Sequence, residues 1–229
     1  MAKNTKDKCF DDLKQRILST DLEPGSDLDE VRLSEYYGMS RTPLREVFQR
    51  LAGEGYLDRT AHRGAKVAPM DLNTLRVFFQ TAPMIYANIS RMAAENRTDR
   101  QIQDLQAAQD VFAEAVDRGD TSASALANHQ FHYRIGLMAQ NSYLMACLER
   151  LLIDHTRLSQ TFYRPNTQDQ QDRIQSAVRH HVDLIEAFQN RDAEGAVAIT
   201  LEHWDLSRNR MEQFVRPDPL PIEYTGETL

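Results

Sequence analysis

Residues 40–57 read SRTPLREVFQRLAGEGYL, and few folds accommodate such a stretch. At 100° per residue, Leu44, Val47, Phe48 and Leu51 fall in one sector of a helix, the i, i+3, i+4, i+7 stripe that must be covered. Ser40 stands where a helix cap belongs, Pro43 lies in the first turn where a missing N–H costs nothing, and Gly53 and Gly55 terminate the segment. The opposite face carries Thr42, Arg45, Glu46 and Gln49, with Arg41 at its flank. One half of this helix is core, and the other presents a hydroxyl, an amide and guanidinium groups outward.

The flanking sequence supplies partners for the buried half. A first helix is expected over about Lys8–Thr20, with Phe10, Leu13, Ile17 and Leu18 on one face. Pro24-Gly25 turns the chain. A short helix follows from Asp29 to Tyr37, offering Val31, Leu33 and one of Tyr36 and Tyr37 to a core, and Gly38 ends it. Behind the Ser40 helix, Tyr56–Arg59 and Ala65–Ala68 read as two strands joined by a tip of His62, Arg63 and Gly64. Three helices and a β-hairpin in this order are the layout of a winged helix-turn-helix.

The chain carries a net charge of −7, which by itself argues against a nucleic-acid partner. Its distribution matters more. Residues 1–68 hold 12 basic and 12 acidic side chains, and the excess lies in residues 69–229, with 15 and 22. Within residues 30–68 the basic groups lead by seven to five. The outward groups of the Ser40 helix suit a major groove, where arginine pairs with guanine O6 and N7 and glutamine with adenine. The competing reading is a solvated face on which Arg41 and Arg45 pair with carboxylates.

From Asp71 to about Phe214 the pattern is helical, with breaks at Asn96–Asp99, Arg118–Thr121, Gln140–Ser142, Arg164–Thr167 and Asn190–Asp192. The fold class expected is therefore mainly α: a winged helix-turn-helix over residues 1–69, an all-α antiparallel bundle of about six helices over 70–215, and an irregular tail over 216–229. No apolar run approaches the ~20 residues of a membrane span, and the N-terminus lacks the apolar centre of a signal peptide. A cytoplasmic protein is expected, with Cys9 and Cys147 as free thiols.

The stretch from Phe10 to Ala68 resembles the DNA-binding domain of the GntR family of bacterial transcription regulators. The resemblance rests on Pro24-Gly25, on LDEVRLSEYYGMSRTPLREVFQRLAGEGYL, and on Arg63-Gly64. It implies that Arg41 and Arg45 contact bases or nearby phosphates, that Ser40 and Thr42 contact phosphate, and that His62, Arg63 and Gly64 probe the minor groove. Gln49 joins the base-facing set. Some relatives carry arginine after the glutamate of the second helix, where this chain has Val31 followed by Arg32.

Histidines concentrate in the body. Asn128 and His132 stand at i, i+4, and His181 and His203 belong to consecutive helices. A bundle can bring such groups together, and neutral imidazole is a common ligand for zinc, nickel or copper. Core histidines satisfied by hydrogen bonds are the alternative. The body is similar to the FCD effector-binding domain of the FadR subfamily, through NHQFH, HHVDLIEAFQNRD and the histidine of LEHW. That resemblance implies a divalent metal (zinc, nickel or manganese) on Asn128, His132, His181 and His203, with Asn128 where relatives have aspartate. Relatives also place R-x-x-L-E on the first helix of the body, where this chain has Ala82 and Tyr86. Tyr86 and Arg157 are then the candidates for holding an effector.

The function expected is a DNA-binding repressor, homodimeric on a pseudo-palindromic double-stranded operator and answering to a carboxylate effector. Two alternatives stay open: a purely structural, dimerising helical body without metal or effector, and a metal-dependent hydrolase, for which Glu202 beside His203 is a poorly placed base.

Overall fold

The computed structural model describes residues 5–59 and 65–211. It begins with α1 (Thr5–Leu18), β1 (Asp27–Leu28), α2 (Glu30–Tyr36), α3 (Arg41–Gly53), β2 (Leu57–Arg59) and β3 (Ala65–Val67). The buried faces of α1 and α3 are the expected ones: Phe10, Leu13, Ile17 and Leu18 on α1, and Leu44, Val47, Phe48 and Leu51 on α3. Each such aliphatic or aromatic group contributes about 1.5–3 kcal/mol when fully buried. On α2 only Leu33 is buried; Val31 and Tyr36 are exposed, and the Tyr37 hydroxyl bonds the Asp12 carboxylate. A seven-residue helix has two turns, too few to bury more than one strip.

The hairpin is part of a larger sheet. β1 pairs antiparallel with β3, so the strand order is β1-β3-β2. Gly25, at φ +79°, makes this pairing: its N–H donates to Val67 O at 3.0 Å, and Val67 N–H returns a bond to Ser26 O at 2.9 Å. The positive φ is one that glycine adopts without a steric penalty.

Six helices follow: α4 (Leu72–Asn96), α5 (Asp99–Asp117), α6 (Thr121–Met138), α7 (Ser142–Phe162), α8 (Gln168–Gln189) and α9 (Ala193–Met211). Side-chain oxygens of Asp71, Thr98, Asp120, Asn141 and Thr167 cap α4 to α8 in turn. Pro83 lies inside α4 without ending it. The main bundle core gathers Phe78, Ile89, Leu105, Phe131, Leu152, Phe188 and Trp204. No helix among the described residues is long and apolar enough to cross a membrane. Cys9 is buried, Cys147 is exposed, and both are free.

Bundle helices α6 and α7 touch the N-terminal unit: α6 packs Leu126 against its core, and α7 makes several contacts. Ile153 joins the core of α1 and α3, and Gln160 Nε2 donates to Leu18 O at 3.1 Å. Arg150 lies against Gly55, whose added Cβ would come within 2.7 Å of the arginine Cδ.

Candidate nucleic-acid interface and metal centre

On α3 the apolar stripe fixes the roll of the helix, so the opposite face must be exposed. Arg41, Thr42, Arg45 and Gln49 are all exposed there. Ser40 occupies the N-cap position, but its hydroxyl makes no capping bond, which corrects the expectation that it caps the helix. The first-turn N–H groups are left with their partial positive charge facing outward.

Arg45 does have a partner. Its Nε donates to both carboxylate oxygens of Glu30 on α2 at 3.1 Å, and Nη2 to Oε2 at 2.9 Å. This raises the arginine pKa through the hydrogen bonds first and the charge second. Glu30 grips the Nε–Nη2 edge of the guanidinium, Nη1 makes no bond to it, and the arginine side chain stays 61% exposed. Arg41, Thr42 and Gln49 have no bonding partner among the described residues. His62, Arg63 and Gly64, the expected tip, lie outside the described residues.

In the bundle the structure draws His132 of α6, His181 of α8 and His203 of α9 together. One ring nitrogen from each lies within 4.8 Å of the others, and all three residues are buried. His132 Nε2, His181 Nε2 and His203 Nδ1 have no hydrogen-bond partner, nor does Oδ1 of Asn128, one turn before His132 on α6. Four buried polar atoms with no partner are a costly arrangement in an apolar core. Burial, the largest cause, holds the His132 and His181 pKa values well below 6.5 and brings His203 to about 3; neighbouring imidazoles add to it. The rings are therefore neutral, the state in which imidazole ligates metals.

The surroundings orient these rings. His181 Nδ1 faces Gln109 Oε1 at 2.8 Å, while Gln109 Nε2 donates to Val178 O. The amide is thereby fixed with its oxygen toward the imidazole, so Nδ1 carries the proton and Nε2 keeps its lone pair. Phe131 stacks on His181, with centroids 3.8 Å apart. His129 turns away and bonds Thr156 Oγ1 at 2.8 Å. His180 lies beside the cluster, its ring 5.9 Å from that of His203.

Tyr86 reaches the cluster: its ring is 5.4 Å from His132, and its hydroxyl meets His155 Nδ1 at 2.9 Å. His155 is a residue the sequence reading missed. Its ring lies 5.0 Å from His132 and 5.0 Å from Trp204. The signal was its position three residues after Leu152 and seven after Leu148, on the core face of α7. Gln109 was equally legible, as an amide between Leu105 and Phe112 on the apolar face of α5.

Arg157 corrects an expectation. Its guanidinium pairs with Asp154, donates to Ala68 O at 2.6 Å, and reaches Pro69 O at 3.4 Å. These bonds hold its two terminal nitrogens between α7 and the segment before α4, its Nε is buried without a partner, and it lines neither cavity at the histidines. Glu202 is exposed on α9, away from its buried neighbour His203, and offers no base.

Two cavities meet at His203. A small one of about 10 Å³ is bordered by Tyr86, Ser90, His132, Thr200 and His203. A larger one of about 200 Å³ runs from His155 and His203 toward Met70 and Leu75.

Residues 83–206 match the FCD domain family, and residues 5–67 match the bacterial regulatory proteins of the gntR family. The Nta operon transcriptional regulator of Aminobacter aminovorans is 26% identical over 87% of this chain and 90% of its own length. The galactonate operon transcriptional repressor of Escherichia coli is 24% identical over 88% and 95%. Among solved structures, E. coli McbR/YncC superposes with a TM-score of 0.74 at 21% identity, covering 92% of this chain and 98% of that one. A GntR regulator from Rhodococcus sp. RHA1 gives 0.71 at 13% identity, covering 92% and 99%. The chain thus belongs to the gntR family of bacterial transcription regulators, among those that carry an FCD domain behind the DNA-binding unit.

Proposed function

We propose that this chain is a cytoplasmic, homodimeric repressor of the FadR subfamily, with residues 1–69 reading a pseudo-palindromic operator and residues 70–215 holding a divalent metal and a carboxylate effector. Arg41, Arg45 and Gln49 face base edges, and Ser40 and Thr42 face phosphate. His62, Arg63 and Gly64 form the minor-groove probe. Asn128, His132, His181 and His203 hold the metal, and the effector alters the geometry of the dimer that DNA prefers.

The observation that carries this reading is the set of four buried, unpartnered polar atoms on Asn128, His132, His181 and His203. Hydrogen-bonded core histidines would not leave them so, whereas a cation satisfies all four. With an amide in place of a carboxylate the ligand set is neutral, so the ion keeps its full double charge to attract an anion.

Metal analysis of protein purified without chelator, beside His181→Ala, tests it. About one ion per protomer, lost in the variant, is expected. No metal after exposure to zinc, nickel or manganese would leave the histidines as packing residues and the helical body as a dimerising scaffold.

A further inference from the structure

The larger cavity defines the chemistry of what it takes. Its walls are Leu75, Phe78 and Phe79 from α4, Leu158 and Phe162 from α7, and Leu206 from α9. Among the described residues no lysine, arginine, aspartate or glutamate lines it. Four hydroxyl residues, Ser159, Thr161, Tyr163 and Ser207, also border it; those of Ser159 and Ser207 turn back and donate to His155 O at 2.9 Å and Trp204 O at 3.0 Å. At the inner end His203 Nδ1 and Trp204 Nε1 are buried without a partner. At about 200 Å³ the space exceeds the roughly 150 Å³ of an apolar cavity known to admit benzene.

We propose that this cavity binds an organic acid with a single anionic head and an uncharged aromatic body, of the arylacetate kind. The head lies at the histidine end, and the ring fills the space between Phe79, Leu158 and Leu206. The inference rests on the metal reading for the seat of the head group and on the walls for the body. A second carboxylate on the ligand would be buried with no cation among the described wall residues to pair it. A sugar acid carries more hydroxyls than the Thr161 and Tyr163 side chains could bond, and the rest would lie against phenyl and isobutyl groups, each at a cost of a lost hydrogen bond. The body of the ligand reaches Met70 and Leu75, directly after the Pro69 carbonyl that Arg157 approaches. Occupancy is thereby felt where the chain leaves the DNA-reading unit.

Trp204 is the only tryptophan of the chain, and it lines the cavity. Its fluorescence in the full-length protein, zinc-loaded or stripped with chelator, reports binding without DNA. Phenylacetate is expected to change the emission saturably, at concentrations at least tenfold below those needed for gluconate or malate. Leu75→Glu, at a half-buried wall position, is expected to weaken phenylacetate at least tenfold while leaving metal content unchanged. Gluconate or malate binding as tightly as phenylacetate, or no saturable change with any of them, overturns the proposal. Equal phenylacetate affinity with and without zinc, in protein that holds no metal, overturns the metal reading and leaves the apolar preference standing.

Discussion

Arg157 of α7 donates to the carbonyl of Ala68 at 2.6 Å while its other terminal nitrogen pairs with Asp154. Both charges are buried, with Arg157 1% and Asp154 4% exposed. Removing the arginine leaves a carboxylate whose one remaining partner is the more exposed Arg150. Arg157→Met should therefore destabilise the protein by about 3 kcal/mol, toward the lower end for breaking a buried pair. Urea unfolding of wild type and variant measures this, and a change below about 1 kcal/mol would contradict the role given to the pair.

Glu30 and Arg45 make a separate prediction. Arg45→Ala should cost roughly 1–3 kcal/mol on the operator and relax discrimination between bases. Glu30→Gln removes a carboxylate from a surface meant for phosphates and loosens its grip on the guanidinium. Binding to random DNA should tighten and the ratio of operator to random affinity should fall. Fluorescence anisotropy with both duplexes at two salt concentrations reads both effects.

Metal and stability are linked by mass action. An ion present at a hundred times its Kd stabilises the fold by about 2.7 kcal/mol, so chelation should lower Tm by roughly 5–10 °C. Asn128→Asp adds a negative charge at the ligand face and should tighten binding about tenfold. Competition against a chromogenic chelator gives that ratio, and an unchanged Kd would remove Asn128 from the ligand set.

Acid should unfold this protein through its histidines. Burial holds His129 at about 4 and His203 at about 3, and sets His132 and His181 well below 6.5. Above pH 6.5 both folded and unfolded chains are neutral at these rings, and stability is full. As pH falls from 6.5 toward 3, the unfolded chain takes up protons that the fold excludes. Each such ring then removes about 1.4 kcal/mol per pH unit. Metal-free protein followed by urea melts between pH 7.5 and 5 should lose stability steeply. A flat profile would mean that water reaches the cluster.

The helix boundaries were legible because local chemistry marks them. Asp71, Thr98, Asp120, Asn141 and Thr167 are cap residues in the sequence and cap helices in the structure, and Gln101 completes a capping box with Thr98. β1 was not legible, because two residues have no periodicity and their pairing depends on a turn at Gly25 meeting a strand some forty residues away. The histidine trio could be suspected from spacing and His155 from its place on the core face of α7, whereas its contacts with Tyr86 and His132 show only once α7 is packed against α4 and α6. Arg157 misled because a lone arginine on a helix carries no mark of which neighbour holds it. Only the packed structure shows the Ala68 carbonyl at its tip.

Helix α7 places His155, Leu158 and Phe162 against the cavity, and Arg150, Ile153 and Arg157 against the DNA-reading unit. If the proposed ligand occupies the cavity, input and output share one rod and differ only in angular position around it. Positions 158 and 162 can be rewritten to change which molecule is sensed without touching the residues that carry the response. Such a helix is a natural cassette for retuning a genetic sensor, with its two sets of instructions interleaved along 21 residues and separable by rotation alone.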